Sequence, residues 1–493
     1  MTHVPALVPA PLSVRTLGGA PFAVTAATQV LAGPGTSAAA ALVAAALGEA
    51  AGHAVGVREA SDDAARAASR DPQGDHGLVV LTLADDGLPP GNEVYRLGAG
   101  PDGLRLTART VAGLYAATAT LRQLLERGTA TVPAVEVEDA PRYPWRGLSV
   151  DVARHFLTPA ELRRVVDLAA AYKLNVLHVH LTDDQGWRLA LPSRPRLVEH
   201  SSGGAVGGDP GGWYSVDDWA ALVAYATGRG LTVVPEIDVP GHVNAALHAL
   251  PELTVSGAAE PAYTGVEVGF SALRASVPAT VPFLTDVFAD VAAMTPGRYV
   301  HVGGDEAHQH EASEYVELVG AVVEAVTATG KTVVGWQEIA AAPLPAGTVV
   351  QYWQERSDPG PVIAAARDGA RVLMSPASRA YLDMQPVPGY PLGQDWAGHV
   401  ELRDAYEWDP AAVLPGLDPD AVIGVEAAVW TETLRTFDDV SQMLLPRLAA
   451  VAEVAWSART DWDSFTARVA PHAATWDRQG LTWYASPQVA WLR

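Results

Sequence analysis

Cysteine is absent from the 493-residue chain, and this one absence removes several kinds of chemistry at once. Disulfide bonds, thiolate zinc sites, iron–sulfur clusters and cysteine nucleophiles all require a thiol. Disulfides are also the usual marker of an oxidising compartment. The redox environment of the protein therefore cannot be inferred from its sequence.

Basic residues are scarce. The chain has 33 Lys and Arg against 56 Asp and Glu, which gives a formal net charge of −23 at pH 7. A charge of this sign repels nucleic acid phosphates and anionic membrane surfaces. Neither nucleic acid nor a membrane is expected as a partner, and a neutral or cationic small substrate fits the charge better.

Long apolar runs are missing too. The Ala-rich run over residues 38–47 ends at Gly48-Glu49, well short of the roughly 20 apolar residues that a membrane helix needs. We interpret it as a helix beginning at Ser37. The first five residues lack the basic segment and apolar core of a secretion signal. We therefore expect no signal peptide here, and the cytoplasm and a secreted form without its signal both stay open as locations.

The length and the 49% hydrophobic share indicate a large core and more than one domain. We predict a small α+β domain over residues 1–140 and a catalytic domain over residues 141–493, with the boundary near the proline-containing segment 137–144. The elements predicted in the first domain are extended segments at 75–83, 93–97 and 104–107 and helices at 37–51 and 111–127.

Short apolar runs alternate with helix-length segments from Trp145 onward. Such repeats predict a parallel sheet, and eight of them indicate a (β/α)8 TIM barrel. The eight predicted strands cover residues 147–151, 176–181, 231–237, 299–303, 332–336, 348–353, 371–375 and 422–427. A doubly wound open sheet is the alternative, but no Gly-x-Gly-x-x-Gly or P-loop favours its nucleotide-binding form.

Polar and aromatic side chains follow these strands, where a barrel places its chemistry. Carboxylates suit sugar hydroxyls and indole faces suit the C–H faces of sugar rings, and the chain has 14 tryptophans. The fourth strand ends in Gly303-Gly304-Asp305-Glu306. An isolated Asp-Glu pair is usually an exposed acidic turn, but two carboxylates in a dehydrated cleft cannot easily both be charged. One of them could then hold a proton for acid catalysis.

Five motifs in order make the chain resemble the family 20 glycoside hydrolases, the exo-acting bacterial β-N-acetylhexosaminidases. The resemblance extends from the small first domain, which has no catalytic residues in that family, through the whole barrel. The motifs are residues 151–156 (DVARHF), 178–188 (HVHLTDDQGWR), 235–242 (PEIDVPGH), 301–306 (HVGGDE) and 430–432 (WTE).

The resemblance implies a substrate-assisted mechanism, in which the sugar's 2-acetamido oxygen attacks C1. Glu306 would protonate the leaving oxygen and then activate water against the oxazolinium intermediate. Asp305 would hold the acetamido N–H, and Tyr381 would donate to the acetamido oxygen. Asp183 and His242 match a pair that hydrogen-bonds behind the acid, which implies a relay from Glu306 through His242 to Asp183.

The same resemblance assigns substrate binding to side chains around the terminal sugar. Tryptophan walls would surround the ring and the acetamido methyl, polar groups would bind the peripheral hydroxyls, and one indole would stack on the next sugar residue. The tryptophan walls would be Trp336, Trp353 and Trp430. The polar groups would be Arg154, Asp383 and Glu432, and the stacking indole would be Trp396.

The remaining strand-end groups are interpreted as support. Alternation on a strand places His178 with His180 on one face, and likewise Glu236 with Asp238, so buried hydrogen-bond networks are expected. His301 is read as further support beneath the site. His308 and His310 show no ligand spacing and are expected at the surface.

Two other classes compete with this interpretation. A metal-dependent barrel enzyme would use the histidines and carboxylates as ligands, but it leaves the tryptophans unexplained. A sugar-binding protein without catalysis would need neither a proton donor nor its neighbouring carboxylate. We therefore predict a retaining exo-β-N-acetylhexosaminidase that acts on oligosaccharides or glycoconjugates such as chitooligosaccharides. It removes terminal N-acetylglucosamine, with N-acetylgalactosamine as the second candidate. No cofactor and no metal are expected, and the oligomeric state is open, with a monomer compatible.

Overall fold

The computed structural model describes residues 5–70, 77–85, 87–125 and 129–492. It consists of a mixed seven-stranded sheet followed by a closed parallel barrel of eight strands. A small N-terminal domain before a TIM barrel is the fold class that the sequence predicts, and the structure confirms it. The closed barrel rules out the doubly wound open sheet.

The N-terminal sheet has the strand order β1-β9-β6-β7-β5-β3-β4, while β2 and β8 form a separate pair. The strands are β1 Ser13–Thr16, β2 Phe22–Ala23, β3 Gln29–Ala32, β4 Gly56–Glu59, β5 Leu78–Leu83, β6 Tyr95–Gly100, β7 Gly103–Ala108, β8 Thr131–Val132 and β9 Val135–Asp139. The helices are α1 Ser37–Ala51, α2 Asp62–Arg70 and α3 Val111–Leu124.

The elements predicted for this domain are present with shifted ends. The predicted strand at 75–83 begins at Leu78 and the predicted helix at 111–127 ends at Leu124. Residues 75–76 and 126–127 lie outside the described part of the chain.

The barrel closes because its last strand pairs with its first, with Trp145 opposite Gly424. Its strands are β10 Trp145–Asp151, β11 Val176–His180, β14 Thr232–Glu236, β15 Tyr299–His301, β16 Thr332–Trp336, β17 Val349–Tyr352, β18 Arg371–Met374 and β19 Val422–Val429. A small hairpin of β12 Thr182–Asp183 and β13 Gly186–Trp187 follows β11.

Helices surround the barrel, and the first of them begins with a capping box. Thr158 and Glu161 cap each other's backbone N–H groups, with Pro159 in the first turn. The helices are α4 Pro159–Ala171, α5 Arg196–Ser201, α6 Val216–Thr227, α7 Asn244–Ala249, α8 Thr280–Met294, α9 Ala312–Ala328, α10 Gly360–Arg367, α11 Ala377–Ala380, α12 Leu402–Tyr406, α13 Phe437–Leu444, α14 Arg447–Trp456, α15 Trp462–Val469 and α16 Ala473–Arg478. Within the described ranges, none of the helices combines the length and apolarity that crossing a membrane would require.

The barrel interior changes from apolar to charged along the strands. Its lower layer is a buried cluster of Trp145, Val176, Val234, Val334, Val349 and Leu373. Inward positions recur every second residue on a strand. Two residues further on, the same strands therefore present a second layer of Gly147, His178, Glu236, Trp336, Gln351 and Ser375. Glycine is required at 147, since a Cβ there would lie 2.0 Å from Glu426 Oε2.

A buried polar junction joins the N-terminal sheet to the barrel. Asp139 at the end of β9 accepts hydrogen bonds from Lys173 Nζ at 2.7 Å, Tyr95 Oη at 2.8 Å and Trp456 Nε1 at 2.9 Å. The Lys173 side chain is only 1% exposed. Since Lys173 and Trp456 belong to barrel helices or their ends, this carboxylate ties the two domains together.

Candidate active site

The Asp305-Glu306 pair lies on a sharp backbone turn. The preceding strand was expected to reach residue 303 but ends at His301, because Gly303 and Gly304 have φ of 68° and 105°, values that favour glycine. Glu306 itself has φ of 45°. The turn brings both carboxylates to one imidazole: His242 Nε2 lies 3.7 Å from Asp305 Oδ2 and 3.5 Å from Glu306 Oε2.

Neighbouring groups hold this turn in place. The Gly304 N–H donates to Asp238 Oδ1 at 3.0 Å, and the Tyr315 hydroxyl donates to the Gly304 carbonyl at 2.6 Å. A Cβ on Gly303 would lie 1.8 Å from Asp238 Oδ1. The first glycine is therefore needed for space as well as for its backbone conformation.

The groups expected behind the acid are brought together. His242 Nδ1 lies 3.3 Å from Asp183 Oδ1 and 3.2 Å from Oδ2. Asp183 Oδ2 also contacts Arg154 Nη2 at 2.8 Å and His180 Nε2 at 3.0 Å. Glu306, His242 and Asp183 thus form a continuous line from the barrel mouth, where the Glu306 side chain is 28% exposed, into the interior.

Charge along this line alternates. Burial raises the pKa of Asp183, but the Arg154 guanidinium and the imidazolium of His242 outweigh burial and hold that pKa well below its usual range. Burial lowers the pKa of His242, yet the carboxylates of Asp183 and Asp238 raise it well above normal. His242 therefore carries a proton at neutral pH. Burial also raises the pKa of Glu306, but hydrogen bonding to His242 and its charge bring it below the ordinary value.

Asp305 has the opposite shift. Burial, reinforced by the Glu306 charge and opposed by His242, raises the pKa of Asp305 to about 6. Nearby, burial and the charge of Asp305 raise the pKa of Glu338 to about 8. Asp305 therefore has the higher pKa of the two adjacent carboxylates and keeps its proton to a higher pH than Glu306 does. Asp305 is nevertheless mainly ionised at neutral pH.

Aromatic rings wall the cavity beside these carboxylates. The Trp353 and Tyr381 rings stack at 6.0 Å with an interplanar angle of 7°, and Trp430 lies 6.1 Å from Tyr381 and 5.8 Å from Trp336. Trp336 and Trp353 donate their indole N–H groups to Glu236 and Glu338, at 2.9 and 3.2 Å.

Trp396 occupies the outer edge of this wall. Its ring meets Trp353 and Tyr381 edge-on, both at 5.9 Å, and the residue is 40% exposed whereas Trp336 is 1% exposed. Its position matches an outer contact rather than an inner wall.

Of the three groups expected to meet sugar hydroxyls, Arg154 and Asp383 are buried and Glu432 is half-buried. Within the described residues, both carboxylate oxygens of Asp383, Oε2 of Glu432 and Nε of Arg154 lack a hydrogen-bond partner. Burial, followed by the Glu432 charge, raises the pKa of Asp383 well above normal. Arg154 also lies over the Trp430 ring, 5.1 Å from its centroid.

The expected buried network of histidines is present. His178 Nδ1 contacts Glu426 Oε1 at 2.8 Å, and its Nε2 lies 2.9 Å from Glu236 Oε2. His180 Nδ1 contacts the same Glu236 oxygen at 2.7 Å. His301 supports the turn, because its Nδ1 accepts the Gly303 N–H at 3.1 Å.

This network bears on the competing metal interpretation. Clusters such as His178, Glu236 and His301 have donor atoms within 4.8 Å of one another. The nitrogens of His178, however, face carboxylates on both sides, and these charges raise its pKa to about 9 although burial lowers it. A protonated imidazole has no lone pair to offer a cation. His178 is therefore engaged in ion pairs and offers no lone pair to a metal.

The sequence interpretation missed Glu338 and misplaced His310. Glu338 follows Trp336 by two residues, so the rule that chemistry follows strand ends could have found it. His308 is exposed as expected, but His310 is half-buried and its Nε2 contacts the Leu273 carbonyl at 2.7 Å. Since that carbonyl comes from a loop far away in sequence, spacing alone could not reveal it.

Carboxylates left free for hydroxyl groups, indole faces around them and an ionisable acid at the mouth point to one class, the glycoside hydrolases. Family models agree: "Glycosyl hydrolase family 20, catalytic domain" matches residues 143–323 and 314–459, and "Glycosyl hydrolase family 20, domain 2" matches residues 4–140. The chain belongs to glycosyl hydrolase family 20 and is a glycoside hydrolase of the β-N-acetylhexosaminidase class.

Individual relatives support this assignment over nearly the whole length. A β-N-acetylhexosaminidase of Cellulomonas fimi is 54% identical over 493 residues, covering 99% of this chain and 97% of the relative. A Streptomyces plicatus β-hexosaminidase mutant solved with the product GlcNAc has a TM-score of 0.92 at 42% identity, covering 100% of this chain and 98% of that one. The family 20 enzyme of Streptomyces coelicolor A3(2) has a TM-score of 0.91 at 43% identity, with 99% of each chain covered.

Proposed function

We propose that the protein is a retaining exo-β-N-acetylhexosaminidase. It removes terminal non-reducing β-linked N-acetylglucosamine, with N-acetylgalactosamine as the second candidate, through an oxazolinium intermediate. The observation that carries this proposal is the turn at Gly303-Gly304, which brings two adjacent carboxylates to one imidazole. Two carboxylates on one side of the cavity suit an acid and a group that holds the substrate's acetamido N–H. The common retaining scheme instead needs an acid and a nucleophile on opposite sides of the glycosidic bond.

In the first step the acetamido carbonyl oxygen of the substrate bonds to C1 as the glycosidic C1–O bond breaks. Glu306 gives its proton to the departing oxygen. The Asp305 carboxylate accepts the acetamido N–H, orients the group and stabilises the positive charge that develops on nitrogen. Tyr381 donates to the acetamido oxygen from the stacked wall.

In the second step water attacks C1 of the oxazolinium ion. Glu306, now a carboxylate, takes the proton from that water, and the acetamido group is restored. Two inversions at C1 leave the original configuration. The proton on His242, 3.5 Å from Glu306, supplies the acid form of Glu306 once the substrate excludes water from that side chain, because desolvation favours the neutral carboxyl.

Substrate binding follows from the rest of the cavity. Trp336, Trp353 and Trp430 surround the terminal sugar and its acetamido methyl, and Trp396 at the outer edge stacks on the next sugar residue. The buried unpartnered groups of Arg154, Asp383 and Glu432 bind the peripheral hydroxyls, since buried polar atoms are normally hydrogen-bonded. Crowding of these groups around one ring supports exo action.

The proposal also assigns catalysis to one of the two domains. Every side chain assigned here comes from residue 154 or later, so residues 1–140 form a non-catalytic domain and residues 141–493 the catalytic domain. One copy of the chain supplies all of them, and no partner subunit is needed.

The decisive measurement compares 4-nitrophenyl β-N-acetylglucosaminide with 4-nitrophenyl β-glucoside. These substrates differ only at C2, and we expect hydrolysis of the first at least about 10³-fold faster, since intramolecular attack is worth several kcal/mol. Comparable rates would contradict substrate assistance. The β-N-acetylgalactosaminide tests the C4 preference. Chitohexaose tests exo action, because an exo enzyme releases only the monosaccharide and the pentamer in the first turnover, whereas internal cleavage releases shorter oligomers.

A further inference from the structure

One buried residue near the site has contacts that the proposed reaction does not explain. His180 is 1% exposed and is the last residue of β11, two positions before the hairpin that carries Asp183. Its Nδ1 lies 2.7 Å from Glu236 Oε2 and its Nε2 lies 3.0 Å from Asp183 Oδ2. It therefore bridges the network inside the barrel and the carboxylate behind His242.

These distances define the protonation state. A neutral imidazole has one N–H and can donate to only one of two flanking carboxylates, whereas an imidazolium donates to both. Protonated carboxyls could supply the missing hydrogen instead. However, Asp183 receives the Arg154 guanidinium at 2.8 Å, and Glu236 receives the Trp336 N–H at 2.9 Å. Both contacts favour the ionised carboxylate.

Arg154 raises an objection, since its Nη1 lies 3.4 Å from His180 Nε2. If that nitrogen accepted a bond from Arg154, its lone pair would also face the Asp183 oxygen at the shorter distance of 3.0 Å. A proton on Nε2 removes this repulsion. Both cations then lie against the same Asp183 oxygen, which compensates for their proximity.

The other groups facing His180 are consistent with a positive charge. Asp238 is close enough for its pKa to be lowered by the charge of His180, and the Trp430 ring lies nearly perpendicular to the imidazole with the ring centroids 5.0 Å apart. Burial lowers the pKa of His180, but the charge of Glu236 and the hydrogen bonds that His180 donates to Asp183 and Glu236 raise it well above the ordinary value. The direction of the shift agrees with the geometry.

We propose that His180 is a positioning residue for proton transfer at Glu306, acting as a permanent imidazolium that clamps Asp183 beneath His242. This inference rests on the proposed acid and base role of Glu306. His180 and Arg154 occupy Asp183 Oδ2 and fix the plane of that carboxylate, whose two oxygens lie 3.2 and 3.3 Å from His242 Nδ1. His242 is then held with Nε2, and no other nitrogen, toward Glu306.

Removing this cation has two consequences. Asp183 loses a fixed donor, so His242 is less well oriented. The proton shared by His242 and Glu306 also loses a neighbouring positive charge, and a nearby cation lowers pKa values. The basic limb of the pH profile should therefore move to higher pH when His180 is neutralised.

The test compares His180→Asn with His178→Asn. His178 is an equally buried histidine on the same strand, also between two carboxylates, but its partners are Glu426 and Glu236 and it does not contact Asp183. For His180→Asn we expect kcat/KM on chitobiose to fall about 10- to 100-fold, with a change below about 3-fold on a 2,4-dinitrophenyl glycoside, whose leaving group needs no proton. The pKa that defines the basic limb of the pH profile of kcat/KM should rise by about one pH unit. His178→Asn should change both substrates equally and leave the profile in place.

Several outcomes separate the two proposals. A wild-type substrate ratio and pH profile in His180→Asn, or the same split in His178→Asn, would overturn the role of His180. If Glu306→Gln shows no dependence on the leaving group, the proposed function itself fails, whatever His180→Asn does.

A measurement on the wild-type protein covers the case in which His180→Asn does not fold. In the 15N-labelled wild-type enzyme, with the His180 signals assigned by triple-resonance NMR, both His180 nitrogens should stay protonated from pH 5 to 8. An unprotonated nitrogen on His180 at pH 7 would refute the imidazolium.

Discussion

The domain junction and the barrel mouth both bury carboxylates, but they treat them in opposite ways. At the junction, Asp139 accepts bonds from Lys173, Tyr95 and Trp456. At the mouth, Asp383 has neither carboxylate oxygen bonded within the described residues, and Asp305 Oδ1 is also unpartnered. Buried polar groups are nearly always satisfied in folded proteins. A buried carboxylate whose bonding is complete holds the architecture together, whereas one left incomplete indicates where a ligand binds.

The largest effect that would sharpen this contrast is expected at Glu306. Glu306→Gln keeps the shape but removes the transferable proton, so kcat/KM on chitobiose should fall about 10²- to 10⁴-fold with no loss of stability. Steady-state kinetics and thermal unfolding measure both quantities. Glu311→Gln makes the same chemical change on an exposed residue five positions later and should behave as wild type. A comparable loss in both variants would contradict a special role for Glu306.

The reverse pattern is expected at the junction. Lys173→Met leaves Asp139 buried without its cation, and breaking such a pair costs about 3–5 kcal/mol of unfolding free energy. Denaturant unfolding should show this loss, while kcat of the folded enzyme stays near the wild-type value. Arg15→Met removes an exposed ion pair with Glu136 and should cost less than about 1 kcal/mol. Equal losses of unfolding free energy in the two variants would mean that the buried Lys173–Asp139 pair stabilises the protein no more than an exposed ion pair does.

Asp383→Asn tests the unpartnered carboxylate. Losing a charged hydrogen bond to a sugar hydroxyl should lower kcat/KM about 10- to 100-fold. Stability should stay equal or rise slightly, because an amide is cheaper to bury than a carboxyl whose pKa burial has raised. Kinetics and melting temperature can be read from one preparation. A destabilised variant with full activity would place Asp383 with the junction residues instead.

A smaller effect is expected from pH. As pH falls through about 6, Asp305 takes up a proton and loses the charge that stabilises the acetamido nitrogen. The acidic limb of kcat/KM should therefore lie near pH 6, with activity about tenfold below the plateau at pH 5. In Asp305→Asn the residual activity should lack this limb. A limb that persists unchanged in the variant would assign it to another group.

Metal removal is expected to have no effect on activity. Exhaustive chelation should leave kcat and KM unchanged, because the proposed reaction uses no metal and the imidazoles of His178 and His180 are engaged with carboxylates. Loss of activity that returns with added Zn²⁺ or Mn²⁺ would revive the metal-dependent alternative.

The sequence was sufficient for the eight barrel strands and for the residues that follow them. The fold follows from the alternation of apolar runs and helix-length segments, and the glycine turn from Gly303-Gly304. The line from Glu306 to Asp183 follows from the family resemblance carried by the motifs at 178–188, 235–242 and 301–306. The contacts within the buried histidine and carboxylate network cannot be predicted in this way. Trp145 and Glu426 meet across the closure of the barrel at a separation of 281 residues. Alternation along a strand says that a side chain points inward, but not which one it faces across the barrel. The position of Glu338 after a strand could have been noticed, but its raised pKa could not, since that pKa depends on Asp305 from another strand.

The junction also has a consequence for the order of synthesis. Asp139 leaves the ribosome 34 residues before Lys173 and 317 residues before Trp456. The N-terminal sheet can pair its strands early, but its last carboxylate acquires its full set of donors only when the barrel is nearly complete. Two units that are separate in sequence therefore finish folding as one, and a barrel produced from residue 141 onward would carry Lys173 without the anion that neutralises it.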